Sequence, residues 1–138
     1  MILIDTGPLV ALCDPRDALN PTAIRHLKSL ARFPLIICEP VLTEAAFHLP
    51  GPSQRMRLQQ AIGRLNMQPA VVEDPHSFWS EVFGWLVKYS EHEPDWTDGY
   101  LAALSTRNRK LKLWTYDSEF RTTWRRADGS SIPLAIRS

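Results

Sequence analysis

Met1-Ile2-Leu3-Ile4-Asp5-Thr6-Gly7-Pro8 and, far downstream, Leu113-Trp114-Thr115-Tyr116-Asp117 share one design, a short apolar run that delivers an aspartate. Unbroken apolar runs of this length, β-branched in part, suit strands buried on both faces of a parallel sheet. Between them, further short runs alternate with stretches at helical period, the pattern of an α/β domain. Residues 35–38 (Leu-Ile-Ile-Cys) and 69–72 read as the second and third strands. Helices are expected over residues 7–13, 21–32, 40–49, 53–65, 75–89, 95–106 and 118–124. Asn20 is the expected N-cap of the second, with Pro21 at its first helical position, and Ser53 caps the fourth after the Pro50-Gly51-Pro52 break. Residues 132–136 form a fifth, edge strand, because Pro133 lacks a ladder donor. Helices between strands require crossovers, so the sheet is mostly parallel, with four to five strands. The expectation is one three-layer α/β/α domain over residues 1–138.

Composition agrees with a folded domain. The chain has 138 residues, 44% hydrophobic and 22% charged, which excludes a disordered chain and allows a full core. Cys13 and Cys38 are too few for a disulfide framework or a zinc site. Residues 1–5 reach an acid too soon for a signal peptide, and no later apolar run could span a bilayer. A soluble, cytoplasmic protein with no membrane contact is expected. Net charge is +1, which does not announce a nucleic-acid binder. Residues 1–98, however, carry 8 basic and 12 acidic side chains, and residues 99–138 carry 8 and 3. Arg107, Arg109, Lys110, Lys112, Arg121, Arg125 and Arg126 cluster in that second part, either as an ordinary solvated surface or as a basic face for a polyanion.

Open parallel sheets place ligands at the carboxyl ends of their strands, where Asp5 and Asp117 emerge. Each could instead cap the helix that follows it. Two helical acids could join them. Glu44 lies about 130° from the centre of its helix's apolar stripe, on the flank rather than in the core. Asp98 sits in Asp95-Trp96-Thr97-Asp98, which imitates a capping box, yet the next residues are apolar on nearly every side and place it near the sheet's end. Four carboxylates brought together repel unless a cation neutralises them. Mg²⁺ or Mn²⁺, hard ions that prefer oxygen ligands, suits such a site and would promote in-line displacement at a phosphodiester.

Four segments then resemble one family. Ile2-Leu3-Ile4-Asp5-Thr6, Pro40-Val41-Leu42-Thr43-Glu44-Ala45-Ala46, Thr97-Asp98-Gly99-Tyr100-Leu101-Ala102-Ala103-Leu104 and Trp114-Thr115-Tyr116-Asp117-Ser118-Glu119-Phe120 resemble, in order, the acidic motifs of PIN-domain proteins. The likeness is greatest to the VapC-like ribonucleases of toxin–antitoxin pairs, and it covers essentially the whole chain. It implies a PIN-like domain and an endoribonuclease dependent on Mg²⁺ or Mn²⁺. Asp5, Glu44, Asp98 and Asp117 would be the catalytic metal-site residues, Thr6 and Thr115 hydroxyls that orient them, and Glu119 an outer acid. It also implies RNA as substrate, a homodimer, and an antitoxin encoded beside the toxin. Gly99 departs from the pattern, since alanine is commoner there.

Other residues have plainer readings. His26, His48, His76 and His92 lack ligand spacing. The face formed by Phe78, Trp79, Val82, Phe83, Trp85, Leu86 and Tyr89 is core first and dimer interface second, with RNA stacking third. Phe47 lies opposite its helix's apolar stripe, a hint of a partner surface. Arg55, Arg57 and Arg64 suit either a solvated helix face or a contact to phosphates or an acidic tail. Two further functions compete with the nuclease: a PIN-like module that binds RNA or protein without cutting, and a phosphoryl-transfer domain with an acceptor aspartate. The second lacks a partner acid, since Gly7 stands two places after Asp5, and lacks any Gly-rich phosphate loop.

Overall fold

The computed structural model describes residues 1–137 and contains four short strands: β1 (Ile2–Ile4), β2 (Leu35–Ile37), β3 (Gln68–Pro69) and β4 (Lys112–Trp114). Seven α-helices accompany them among the described residues, with a 3-10 turn at Ser90–His92: α1 (Thr6–Cys13), α2 (Asn20–Leu30), α3 (Glu39–His48), α4 (Pro52–Arg64), α5 (Pro75–Lys88), α6 (Trp96–Arg107) and α7 (Glu119–Thr122). The sheet runs β3-β2-β1-β4 and every pair is parallel, with Ile2 opposite both Leu35 and Lys112, and Ile4 opposite Trp114. β1 is central, and Ile2, Leu3 and Ile4 are all buried, as a strand covered on both faces requires. The helices enclose the sheet in three α/β/α layers. α5 packs along α6, while α1 is surrounded by α2, α3 and α4. No helix among the described residues is long and apolar enough to cross a membrane.

The chain moves outward from β1 through β2 to β3, then returns across the sheet to β4. The crossover direction therefore reverses between β1 and β4, and this is where an open parallel sheet leaves a crevice beyond its carboxyl ends. Asp5 follows β1 directly, and Asp117 follows β4 after a short turn.

The expected fifth strand is reduced to one bridge. Leu113 donates to the Pro133 carbonyl and accepts from Ala135 N–H, both at 2.8 Å, pairing Leu113 with Leu134 alone. With no N–H on Pro133, that ladder cannot extend toward Leu111. β3 is likewise shorter than expected, and Val71 beyond it is exposed. Two caps also differ. Asn20 lies inside α2 and spends its amide on the Ala11 carbonyl at 2.7 Å, leaving Leu19 as N-cap. At α4, Gly51 is the N-cap, and its N–H donates to the Gln54 side chain at 2.8 Å, so Ser53 is not the cap.

The cluster of basic residues is in part an ordinary solvated surface, with Arg107 and Arg109 exposed, and in part spent on structure. Arg126 is buried, donating to Ser105 Oγ at 3.0 Å, while Arg107 pairs with Glu81 and Arg109 with Asp128. Arg55, too, is committed, donating to the carbonyls of Ala46 and Leu49 at the end of α3.

Candidate active site

A cleft of about 390 Å³ opens at the β1–β4 crevice, and its lining includes Asp5, Glu44, Asp98 and Asp117. Each arrives on a different element. Asp5 is the N-cap of α1, Glu44 sits midway along α3, Asp98 is in the first turn of α6, and Asp117 precedes α7.

Threonine hydroxyls hold the set together. Thr6 Oγ1 donates to Glu44 Oε1, Thr97 Oγ1 to Glu44 Oε2, and Thr115 Oγ1 to Asp5 Oδ2, each at 2.7 Å. Thr115 Oγ1 also accepts the Asp117 N–H at 3.0 Å, so one hydroxyl ties β1's acid to β4's loop. Thr97 and Thr115 are buried, which makes these charge-assisted bonds firm anchors. Thr6 lines the cleft itself, whereas Thr115 acts from behind Asp5. Glu119 does not line the cleft; its N–H donates to Asp117 Oδ1 at 2.9 Å, so it meets the site through its backbone.

Capping and site-building turn out to coexist. Asp5 Oδ1 accepts the Thr6 N–H at 2.7 Å, and Asp98 Oδ2 accepts the Asp95 N–H at 3.0 Å in a reciprocal capping box. An ionised carboxylate offers about four acceptor sites, so one bond per oxygen leaves capacity facing the cleft.

Electrostatics record the crowding. Burial, outweighing the Thr115 and Thr6 bonds, pushes Asp5 up to about 6, and the charges of Asp117 and Glu44 push the same way. Asp98 is raised well above the carboxylate range, first by burial, with Asp95 and Asp117 adding repulsion. Among the described residues, no three His, Cys, Asp or Glu side chains form a closed ligand group as they stand. The donor set is carboxylate and hydroxyl oxygen, and its own repulsion favours a cation. On chemistry it fits a hard divalent ion rather than a thiophilic one.

The cleft also contains Asp17, Asp95 and His48, which sequence reasoning left out of the site, and Thr97 joins them through Glu44. Thr97 had a visible signal: it stands directly before a candidate acid, Asp98, as Thr6 stands directly after Asp5. Asp17 and His48 had none, since the α1–α2 turn and the end of α3 reach the cleft only through tertiary packing.

No family model matches the sequence, and no curated protein matches it. A solved structure does: that of Mycobacterium tuberculosis VapC20, described as a sarcin-ricin loop cleaving toxin, is similar at a TM-score of 0.73 and 22% identity, covering 100% of both chains. Such a likeness establishes architecture, and at that level the resemblance carried by the four acidic motifs is borne out. The chain has the PIN-like three-layer α/β/α fold of a VapC toxin.

Proposed function

We propose that this chain is a metal-dependent endoribonuclease that hydrolyses RNA phosphodiester bonds at the cleft of Asp5, Glu44, Asp98 and Asp117, as the toxin of a toxin–antitoxin pair. The observation that carries this reading is the convergence of four carboxylates from four separate elements on one cleft at the sheet's switch point. The fold shared with a sarcin-ricin loop cleaving toxin supports RNA as the substrate. Asp5, Asp98, Asp117 and Glu44 would hold Mg²⁺ or Mn²⁺, and the hydroxyls of Thr6, Thr97 and Thr115 orient two of those carboxylates, Glu44 and Asp5. The ion would supply Lewis acidity toward water and the phosphodiester. The same reading includes a cytoplasmic place of action, a homodimer and an antitoxin partner. Exposed Phe47 and Phe83 support an apolar partner surface.

The test is cleavage of end-labelled structured RNAs by purified protein with Mg²⁺, with Mn²⁺ and with EDTA, alongside Asp5→Asn. Cutting that needs metal and vanishes in the variant is expected. A second reading, a PIN-like module that binds RNA or protein without cutting, draws on one observation: among the described residues no three His, Cys, Asp or Glu side chains group closely enough to hold a metal ion. Absence of cutting, together with no Mn²⁺ binding by calorimetry, would favour that module.

A further inference from the structure

Beside the acidic cleft lies a second one of about 650 Å³, and Glu44 and Thr97 line both. Its character is different. Trp79 from α5 and Trp96 and Tyr100 from α6 supply aromatic walls, with Pro40 and Val72 opposite. Tyr100 is held edge-on by Phe78 at 4.7 Å and Trp96 by Phe83 at 4.9 Å. Trp79 is about half exposed at 51%, and its ring neighbour is His76 at 6.4 Å, so it keeps a free face. No Lys or Arg is among the described lining residues, while the exposed Glu39 stands on the rim.

We propose that this aromatic cleft is a nucleobase subsite, taking one unpaired, amino-bearing base of the RNA whose backbone crosses the acidic cleft. The inference rests on the ribonuclease reading and specifies which part of the substrate the protein grips. A lining without cations and with two carboxylates repels phosphate, which excludes the backbone as occupant. Flat rings with free faces suit a base, because every base has a π-face and stacking tolerates sequence. Glu39, the lining carboxylate outside the proposed metal set, complements amino and imino edges, and guanine, with two adjacent N–H donors, matches a carboxylate best. A paired base could not enter, so the substrate nucleotide must be unstacked, in a loop or bulge. The shared wall of Glu44 and Thr97 then places that nucleotide next to the bond being cut.

The test is a cycle of Trp79→Ala and single abasic substitutions scanned across the cut site of a cleaved RNA. Trp79→Ala should lower kcat/KM about five- to hundred-fold, with Trp79→Phe keeping most of the activity. One abasic position should cost wild type a similar factor and cost Trp79→Ala nothing further. A readout that leaves Trp79 in place is fluorescence of 2-aminopurine at that position, quenched on binding to Asp98→Asn protein. Wild-type rates in Trp79→Ala overturn the subsite, as do losses that multiply at every abasic position or 2-aminopurine that stays bright. Multiplying losses accompanied by a change in sedimentation would give the cleft to a second copy of the chain. In all of those cases wild type still cuts RNA. If it cuts none, it is the nuclease reading that fails, and the subsite falls with it.

Discussion

Asp5 caps α1, accepts the Thr115 hydroxyl and lines the acidic cleft, so one carboxylate serves the fold and the candidate site together. Asn keeps an acceptor for the Thr6 N–H and sheds the repelled charge, while its NH2 replaces the oxygen that accepted the Thr115 hydroxyl and can donate to Thr115 Oγ1 instead. Asp5→Asn and Asp98→Asn are therefore expected to abolish cleavage while remaining folded by circular dichroism, with melting temperatures at neutral pH no lower than wild type. The raised pKa of Asp5 has a definite sign. Folded protein keeps its proton up to about 6, whereas an unfolded carboxyl loses it near 4. That stabilisation is full below about pH 4 and is lost as pH rises through about 6, a loss on the order of 1–2 kcal/mol after solvent screening. Melts in EDTA from pH 4 to 8 should fall in wild type relative to Asp5→Asn, and Mn²⁺ at pH 7.5 should recover the difference. A wild-type curve parallel to the variant's would contradict this. Thr97 gives a third check: Thr97→Val frees Glu44 Oε2 and should cost about 10–100-fold in cleavage, with Thr97→Ser close to wild type. Capping and catalysis looked like rival explanations in the sequence because both predict an acid at a helix start. The hydrogen bonds show that one residue can cap a helix and still line the cleft.

Gly99 makes sense only at the level of two helices. A Cβ there would lie 3.1 Å from Val82 Cγ1 and 3.2 Å from both Leu86 Cδ2 and Trp85 Cε3, all on α5. Trp85 has little room to yield, since its N–H donates to the Arg125 carbonyl at 2.7 Å and its ring meets Trp124 edge-on at 5.3 Å. Gly99→Ala gains about 1 kcal/mol of helix propensity but meets overpacking of about 1–3 kcal/mol. Net destabilisation is expected, read as a lower urea midpoint with unchanged slope; a midpoint at or above wild type would show that α5 and α6 can move apart. The sequence carried helix α6 well, through its run of apolar residues, and carried the central strands for the same reason. It overstated the edges. Residues 69–72 and 132–136 have strand-like composition, but a strand is defined by its partner. The outer ladder stops at Pro133, and Val71 turns to solvent. The aromatic run of α5 likewise divides by face, with Phe78, Val82 and Trp85 buried and Trp79, Phe83 and Val87 exposed.

Across the whole molecule, parallel topology makes the ends of the fold meet. β1 pairs with β4, and the Thr115–Asp5 hydrogen bond closes a separation of 110 residues. The order of the four acidic motifs was legible because topology, not proximity in sequence, assembles them. The burial of Arg126 was not, since charge counts cannot tell an arginine packed against Ser105 from a solvent-facing one. That arginine has a structural consequence: Arg126→Ala should destabilise the protein by about 1–3 kcal/mol through lost packing and bonds, with thermal melts as the check. The same long closure bears on how the protein is made. A ribosome releases β1 and Asp5 first and Thr115 and Asp117 late, so for most of synthesis the emerging chain lacks half of its carboxylate cluster. On the proposed activity, a chain that has not yet made β4 cannot cut RNA, and it becomes a nuclease only after that strand has docked beside β1.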